Sequence, residues 1–341
     1  MDGDLVYRLP PYAMSPQIYS AEDVTEVIDW GLTNNGIPDV HKLSEGEGVR
    51  IAVLDTGASE HPDVGELAFM LNTTNSPTPF DRQGHGTHVQ GTIRMLRNGV
   101  GGIGVAPKAT LGSIKVLGDD GAGSNRWIRD GIYKAIDQKV DIISMSLGGP
   151  YDPGIEQACM DAIQSGIFII CAAGNEGLVP GQDTIGWPAR LGATIAIASY
   201  NAEGKISEYS SRGPEVDFAF PGENIFSTWV GGKYRRISGT SMATPFCSGT
   251  VALLLSHYRK FASKKVPRNN TELRELLKSF SKDMGKVGKD NDWGFGIPDI
   301  TGEIKAAGDV SVVSGWTSFG GLSFKYPAVV DGRTCIALAL K

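Results

Sequence analysis

The sequence predicts a three-layer α/β/α protein, in which helices cover both faces of a mainly parallel central sheet. Strand-like and helix-like runs alternate through the middle of the chain, which is typical of βαβ units. The run at 49–54 is short, apolar and rich in β-formers, as expected of a buried parallel strand. The 341 residues are 41% hydrophobic and 21% charged, which is ordinary for a globular protein with a substantial core.

Charge and hydropathy indicate which partners the protein has. The net charge of −6 does not favour binding to nucleic acid, and no apolar run is long enough to span a membrane. The N-terminus also lacks the basic-then-apolar pattern of a signal peptide. We therefore expect no nucleic-acid or membrane partner, and a protein that stays where it is made.

The four cysteines indicate the cellular compartment in which the protein is found. They lie far apart, in no metal-like spacing, at Cys159, Cys171, Cys247 and Cys335. Three of them fall inside helix or strand patterns, which favours buried free thiols in a reducing compartment over disulfides. We therefore expect a cytoplasmic protein.

The first elements include an arm and a strand with a carboxylate at its end. Prolines at 10, 11 and 16 are incompatible with a helix and predict an extended arm, which by itself is a disordered tail. The 49–54 strand ends at Asp55. Sites cluster at the C-terminal ends of strands in open α/β sheets, so Asp55 is a site candidate, although an Asp here is also a common turn residue.

Two histidines follow in Gly84-His-Gly-Thr-His-Val89, which leads into a helical pattern over 89–95 and then a glycine-rich stretch at 98–104. His85 and His88 are one helical turn apart, which raises a metal-binding interpretation, but no third ligand with familiar spacing follows. Alternatively, His85 is a general base, and the glycines on either side let its partners approach closely.

The remaining elements continue the alternation. Strands are predicted over 110–117, 141–147, 167–173 and 194–199, and helices over 125–138 and 154–165. Loops and hairpins are predicted over 207–239, and a later helix over 271–280 with Thr271 as its cap. From about Asp309, β-like runs at 310–313 and 336–340 predict a small C-terminal appendage.

The stretch Ser238-Gly-Thr-Ser-Met-Ala-Thr-Pro245 joins a small-residue turn to a helix that reaches about Tyr258. Ser241 is thereby placed at a helix N-terminus. The unpaired N–H groups and positive dipole end there favour negative charge, which suits a serine that attacks a carbonyl. The alternative is that Thr240 or Ser241 is an ordinary N-cap.

Three motifs occur in order: Asp55-Thr-Gly57, Gly84-His-Gly-Thr-His88 and Gly239-Thr-Ser-Met-Ala-Thr-Pro245, with Cys171-Ala-Ala-Gly-Asn-Glu-Gly177 between the last two. Together they resemble the active-site signatures of the subtilases, the subtilisin-like serine proteases. The bacterial intracellular subtilisins are most similar, because Arg8-Leu-Pro-Pro-Tyr12 resembles their inhibitory N-terminal motif, with Pro10 in place of the usual Ile. The resemblance implies an inhibitory segment at 1–21, a peptidase domain at 22–308 and a C-terminal extension at 309–341.

The resemblance implies a Ser-His-Asp mechanism. Ser241 would be the nucleophile, His85 the base that takes its proton, and Asp55 the group that orients the imidazole. Asn175 would donate its side-chain amide to the oxyanion, together with the backbone N–H of Ser241. His88 would then be a structural histidine.

The resemblance also implies a cleft in which a protein substrate pairs as an extended strand. The substrate-binding residues would be Gly121, Gly123, Ser146, Leu147, Gly148, Ala172, Ala173, Gly174 and Gly186. Small residues in the pocket for the side chain before the cut imply a preference for large apolar groups there, and Glu176 at its rim would also admit basic ones.

The resemblance further implies Ca²⁺ in a structural role, because the loop at 96–102 is similar in position to the calcium loop of the family. One site would use the side chains of Asp63 and Asn98 with the carbonyls of Leu96, Val100 and Gly102, an all-oxygen set, although this stretch also fits a plain glycine-rich turn. A weaker cation site would involve Ala189, Leu191, Thr194 and Asp217.

The leading hypothesis is a serine endopeptidase made as a zymogen, with residues 8–12 as an intramolecular inhibitor. The resemblance also points to a homodimer. One alternative is a non-catalytic scaffold that keeps the fold and binds peptides in the cleft. Another is a metal hydrolase that uses Asp55, His85 and His88.

Overall fold

The computed structural model describes residues 5–177, 182–261 and 266–308, with five short strands between 316 and 339, and it describes side chains as far as residue 304. The strands up to residue 298 are β1 Val6–Arg8, β2 Ala13–Ser20, β3 Arg50–Asp55, β4 Met70–Asn72, β5 Thr110–Lys115, β6 Ala122–Ser124, β7 Ile142–Met145, β8 Phe168–Ala172, β9 Ile195–Tyr200, β10 Val216–Pro221, β11 Ile225–Trp229, β12 Lys233–Ser238, β13 Ser281–Lys282 and β14 Ile297–Pro298.

The helices surround these strands. They are α1 Trp30–Asn34, α2 Ile37–Val40, α3 His85–Arg94, α4 Asn125–Asp137, α5 Pro153–Gln164, α6 Thr240–Lys260, α7 Asn270–Ser279 and α8 Ile300–Gly308, with a 3-10 turn at Ala21–Asp23. Among the described residues, no helix is both long and apolar enough to cross a membrane.

Seven parallel strands form the central sheet, in the order β10-β9-β8-β7-β3-β5-β4. Side chains alternate between its two faces, as β3 shows. Ile51 and Val53 belong to the core that includes α3 and α6, whereas Ala52 and Leu54 belong to the core that includes α4 and α5. The predicted α/β/α layering is thus confirmed.

The N-terminal arm is extended, as its prolines predict, but it is paired with the body of the protein. Strand β1 pairs antiparallel with β6, and β2 pairs antiparallel with β12. Strand β2 thereby becomes the third strand of a sheet with β11 and β12. The disordered-tail alternative is wrong for residues 5–20, because composition alone does not reveal the strand edges available elsewhere in the chain.

Two local predictions need correction. The 207–239 region contains the predicted hairpin, formed by β11 and β12, but it also contains β10, an edge strand of the central sheet. The charged Asp217 and the terminal Pro221 hide β10 from a hydrophobic pattern. Helix α7 is capped by Asn269, whose side chain accepts from the N–H of Glu272, so Thr271 is not the cap.

The C-terminal segment contains short strands, in agreement with a β-like appendage. They are β15 Trp316–Phe319, β16 Leu322–Lys325, β17 Ala328–Val330, β18 Arg333–Cys335 and β19 Leu338–Ala339. All of their pairings are antiparallel. The predicted run at 310–313 lies outside the described residues, and the domain boundaries remain a prediction.

Candidate active site

A buried carboxylate–imidazole pair lies at the C-terminal edge of the central sheet. Asp55 is the last residue of β3 and His85 the first of α3, and both are fully buried. The Nδ1 atom of His85 lies 2.9 Å from Oδ1 and 3.0 Å from Oδ2 of Asp55. The carboxylate can therefore hold the imidazole in the tautomer that carries its proton on Nδ1.

The turn before His85 is held by Asp81, which the sequence analysis missed. Its carboxylate accepts from the N–H groups of Gly84 and Thr87 and from the hydroxyl of Thr56. Gly84 has a φ of +102°, and a Cβ there would lie 2.4 Å from the Trp229 ring. A side chain at this position would therefore displace the start of α3.

Ser241 lies in the first turn of α6, and the residue that precedes this helix as its N-cap is Gly239. The interpretation of Thr240 or Ser241 as the N-cap is therefore wrong. Among the described residues, neither the hydroxyl of Ser241 nor Nε2 of His85 has a hydrogen-bond partner, although both atoms are buried. A buried polar atom is normally hydrogen-bonded, so both atoms are available to a bound group.

The orientation of Asn175 follows from Thr240. Oδ1 of Asn175 accepts from the backbone N–H of Thr240 at 2.9 Å and from its hydroxyl at 2.8 Å. The amide group Nδ2 therefore points the other way, where it donates to the carbonyl of Pro11 at 2.6 Å. Asn175 thus presents a donor to a peptide carbonyl, as the predicted oxyanion role requires.

The arm occupies a groove between two predicted substrate-binding segments. Arg8 exchanges both backbone hydrogen bonds with Gly148, at 2.9 and 3.0 Å, and the N–H of Leu9 donates to Gly121 at 3.1 Å. In the same register Tyr7 is paired with Gly123. The arm therefore binds as a central strand between two edges, as an extended peptide does in β-strand addition.

Side chains of the arm are buried in the groove, and one of them contacts the buried pair. The Tyr12 ring lies 5.1 Å from the His85 ring, centre to centre, and its hydroxyl contacts the side chain of Gln83. Tyr7 is fully buried, and its hydroxyl donates to the carbonyl of Pro150 at 2.5 Å. Pro10 is also buried.

The other predicted cleft residues lie together. Leu147, Ala172 and Ala173 are buried, and the hydroxyl of Ser146 donates to the carbonyl of Ser241 at 2.9 Å. The following contacts join the small residues: Gly186 N–H to Ala173 O at 3.1 Å, and Gly174 N–H to the Thr240 hydroxyl at 3.3 Å. A Cβ on Gly186 would lie 3.6 Å from the Cα of Gly148.

The carboxylate of Glu176, at the predicted rim, accepts a hydrogen bond from the hydroxyl of Ser211 at 2.7 Å, and this contact fixes its position.

His88 has a different environment from His85. Its Nε2 lies 3.1 Å from the carbonyls of Ile225 and Arg235, and burial lowers its pKa to about 3. Within the part of the chain that the structure describes, no three His, Cys, Asp or Glu side chains are grouped to hold a metal ion. The contacts of His88 are those of a structural residue, and they do not support the metal-hydrolase alternative.

The predicted calcium loop surrounds Asp63. This carboxylate is 1% exposed and accepts from the side-chain amide of Asn98 and the N–H of Gly102. Burial raises its pKa to about 6, and the ion pairs of the described residues include none with Asp63. Asn98 turns its NH2 group toward Asp63, and its Oδ1, the predicted cation ligand, accepts from the N–H of Val100 at 3.1 Å. Of the predicted set, the buried carboxylate of Asp63 is the group that suits a hard cation such as Ca²⁺.

Glu26 is a second carboxylate at this loop, which the sequence analysis did not find. One of its oxygens accepts from the N–H groups of Asn98 and Gly99, both at 2.9 Å. The segment around it also pairs with the loop, since the N–H of Val27 donates to the carbonyl of Gly101. No local pattern signals this contact, because Glu26 is about seventy residues away in the chain.

The weaker cation site contains a protein cation. The guanidinium of Arg274 donates to both oxygens of Asp217, at 2.8 and 3.2 Å, and to the carbonyl of Thr194 at 2.6 Å. The carbonyl of Leu191 accepts from Thr194, and Ala189 is buried nearby in the chain. Arg274 thus neutralises the carboxylate on which the predicted site depends, and the residues do not fit a metal ion.

The described cysteines agree with the expectation of free thiols. Cys159, Cys171 and Cys247 are buried and form no disulfide. Burial raises the pKa of each thiol above its usual value, to about 12 for Cys159. The side chain of Cys335 lies outside the described residues.

The parallel sheet with an aspartate, a histidine and a serine gathered at its carboxyl edge defines a class: α/β hydrolytic enzymes with a nucleophilic serine. A model of the subtilase family matches residues 46–296, and the chain belongs to this family. It is a subtilisin-like serine endopeptidase.

Several curated relatives are serine proteases. The chain is 43% identical over 265 residues to "Intracellular serine protease" of Paenibacillus polymyxa, which covers 75% of this chain and 80% of the relative. It is 37% identical over 298 residues to "Major intracellular serine protease" of Bacillus subtilis, covering 84% and 92%. It is 38% identical over 283 residues to "Subtilisin E" of Bacillus subtilis, covering 81% and 72%.

The assignment of Arg274 predicts a specific response to cations. Arg274→Ala should lower the free energy of unfolding by about 3 kcal/mol, because it leaves a buried carboxylate without its main partner. When the Asp63 site is already saturated with Ca²⁺, further millimolar Ca²⁺ or Na⁺ should restore part of the stability that Arg274→Ala loses. Denaturant unfolding of the wild type, Arg274→Ala and the exposed control Arg126→Ala measures both effects. If the added cation stabilises the wild type as much as Arg274→Ala, the assignment is contradicted.

Proposed function

We propose that Ser241, His85, Asp55 and Asn175 carry out the peptide hydrolysis. The observation that carries the proposal is the hydrogen bond from Asn175 to the carbonyl of Pro11, because the segment that supplies this carbonyl is bound as an extended strand. The predicted oxyanion donor thus already holds a peptide carbonyl. The Asp55–His85 pair supports the same assignment.

In this mechanism, the hydroxyl of Ser241 attacks the substrate carbonyl while Nε2 of His85 takes its proton. Asp55 stabilises the resulting imidazolium, and the amide of Asn175 donates to the oxyanion. His85 then gives the proton to the leaving amine, which leaves an acyl-enzyme. Water, deprotonated by His85, then attacks the ester carbonyl. The resulting tetrahedral intermediate collapses, the bond to the oxygen of Ser241 breaks, and His85 returns the proton to Ser241 as the acid product leaves.

The substrates we propose are extended segments of proteins, with a large apolar side chain before the cut. The edges at Gly121 and Gly148 pair with the arm through backbone atoms, which any sequence supplies. The small residues Gly148, Gly186 and Ala173 supply the room for the side chain. Glu176 remains a candidate for binding basic groups at the rim.

We also propose that the arm is an intramolecular inhibitor and that the chain is made as a zymogen. The carbonyl at Asn175 belongs to Pro11, so the bond that the arm offers to Ser241 is the one between Pro11 and Tyr12. The two residues before this bond are both proline, and their rings fix the backbone where a substrate would have to adjust to attack by the serine. The prolines therefore spoil the geometry of the bond that would be cut.

We also propose a location, an assembly and a set of domain boundaries for the protein. The names of two relatives include "intracellular", which supports a cytoplasmic location, and the three described cysteines are free thiols. A homodimer, an inhibitory segment at 1–21, a peptidase domain at 22–308 and an extension at 309–341 are carried over from the family resemblance.

Ser241→Ala should abolish hydrolysis of a fluorogenic peptide, because the nucleophile is lost, while the thermal unfolding midpoint changes little. Asn175→Ala should lower kcat by about 10²–10³, a magnitude known for this family. Both variants are compared with Ser165→Ala, which lies on an exposed helix end. Substantial hydrolysis by Ser241→Ala would refute the mechanism, and no hydrolysis by the wild type would favour a peptide-binding scaffold.

Removing the arm should speed activation. A chain that begins at Glu22 should hydrolyse peptide without the lag expected of the full-length protein, and Tyr12→Ala should shorten that lag because the contacts with His85 and Gln83 are lost. Met14→Ala is the matched control, since Met14 is 44% exposed. Progress curves with intact-mass measurements check this; equal lags for the full-length and shortened chains would mean that the arm does not inhibit.

Calcium should stabilise the protein through Asp63. At a free Ca²⁺ concentration one hundred times the dissociation constant, binding adds about 2.7 kcal/mol to the free energy of unfolding. Asp63→Asn should lose most of this response, whereas Asp130→Asn, on an exposed helix face, should keep it. Thermal unfolding with Ca²⁺ and with chelator measures the difference, and an unchanged response in Asp63→Asn would exclude this site.

A further inference from the structure

The arm does not end at the catalytic residues. Beyond Tyr12 it continues as β2, which lies antiparallel to β12 with Ala13 opposite Ser238 and Tyr19 opposite Tyr234. The other edge of β12 pairs with β11. Release of the arm would therefore leave one edge of β12 unpaired, directly continuous with the cleft, because Ser238 is three residues before Ser241.

Backbone pairing dominates the contact between β2 and β12. Most side chains of β2 are exposed, including Met14 at 44% and Ile18 at 47%. The register shifts once, between the pairs that contain Arg235 and Ile237, so β2 carries a bulge around Pro16. An edge that accepts such a strand depends little on the sequence of its partner.

Two side-chain anchors lie along this edge, and each also contacts a residue outside β2. The guanidinium of Arg235 lies 5.2 Å from the Trp229 ring centre, and its Nε donates to the carbonyl of Ser15 at 2.9 Å. At the outer end, the Tyr19 ring packs edge-on against Phe226 at 5.6 Å, and Phe226 itself stacks on Tyr234. The edge thus offers one donor for a carbonyl and one aromatic surface.

We propose that, once residues 1–21 have been removed, the free edge of β12 binds the part of a substrate chain that follows the scissile bond. This inference rests on the proposed function. The occupant is an extended polypeptide, because the arm shows this binding mode in the same molecule. The six residues of β12 span about 20 Å, so the contact reaches well beyond the first few residues after the cut.

This edge defines the substrate class more closely. To occupy the whole edge, a polypeptide must present about ten extended residues after the cut, including those that pair with β12. An aromatic residue near the outer end would gain the contact that Tyr19 makes. Unfolded chains and long flexible segments meet this requirement, whereas short peptides and the tight loops of folded domains do not. The protease should therefore favour long unstructured substrates.

The test uses the activated enzyme and internally quenched peptides that are identical before the cut. After the cut the peptides carry two, five or ten residues. The longest carries a Tyr six positions after the residue expected opposite Ser238, which is the spacing between Ala13 and Tyr19 in the arm. We expect kcat/KM to be about tenfold higher for the longest peptide than for the shortest, mainly through a lower KM. N-methylation of the outer amides should remove this gain, because it removes the backbone donors.

Two further comparisons identify the anchors. Replacing the outer Tyr with Ser should reduce the gain about threefold, and Arg235→Ala should lower the ratio of long-peptide to short-peptide kcat/KM. Lys42→Ala removes the same charge at a remote exposed position and should leave that ratio unchanged. Equal kcat/KM for all lengths would overturn the edge proposal while leaving the protease assignment intact. Failure to cleave any peptide would overturn the proposed function, and this inference with it.

Discussion

The Asp55–His85 hydrogen bond is the interaction around which the site is built. Both side chains are fully buried, and a buried carboxylate or imidazole without a partner is costly, so each requires the other. Strand β3 delivers the first and the start of α3 the second, and Asp81 holds the turn that aligns them. Helix α6 brings Ser241 to the same edge, where Thr240 also sets the direction of the Asn175 amide.

In the proposed mechanism, inhibition by the arm and substrate binding depend on the same backbone hydrogen bonds. The arm makes backbone hydrogen bonds with Gly148 and Gly121 before the catalytic residues, and with β12 after them. These bonds are those that an extended substrate would form, so the proposed inhibitor and a substrate would compete for one continuous surface. Attachment to the same chain would favour the arm, because its effective concentration is high. Cleavage of the arm would remove that advantage.

The two predicted cation sites differ in how their carboxylates are compensated. Within the described residues, Asp63 is buried and its hydrogen bonds come from neutral donors, and burial raises its pKa to about 6. A bound cation would relieve this cost. Asp217 is equally buried but already has the guanidinium of Arg274. A metal ion at the second position would have to displace a cation that is covalently part of the protein.

Sequence alone determined the fold class, the order of the catalytic motifs and the extended arm, because these depend on local patterns: strand and helix periodicity, glycine turns and prolines. Tertiary structure decided the rest. Three contacts join residues far apart in the chain: the pairing of the arm with β12, the contact of Glu26 with the predicted calcium loop, and the Arg274–Asp217 ion pair. Such partners are chosen by packing, which places particular side chains together, and no local sequence pattern records that choice.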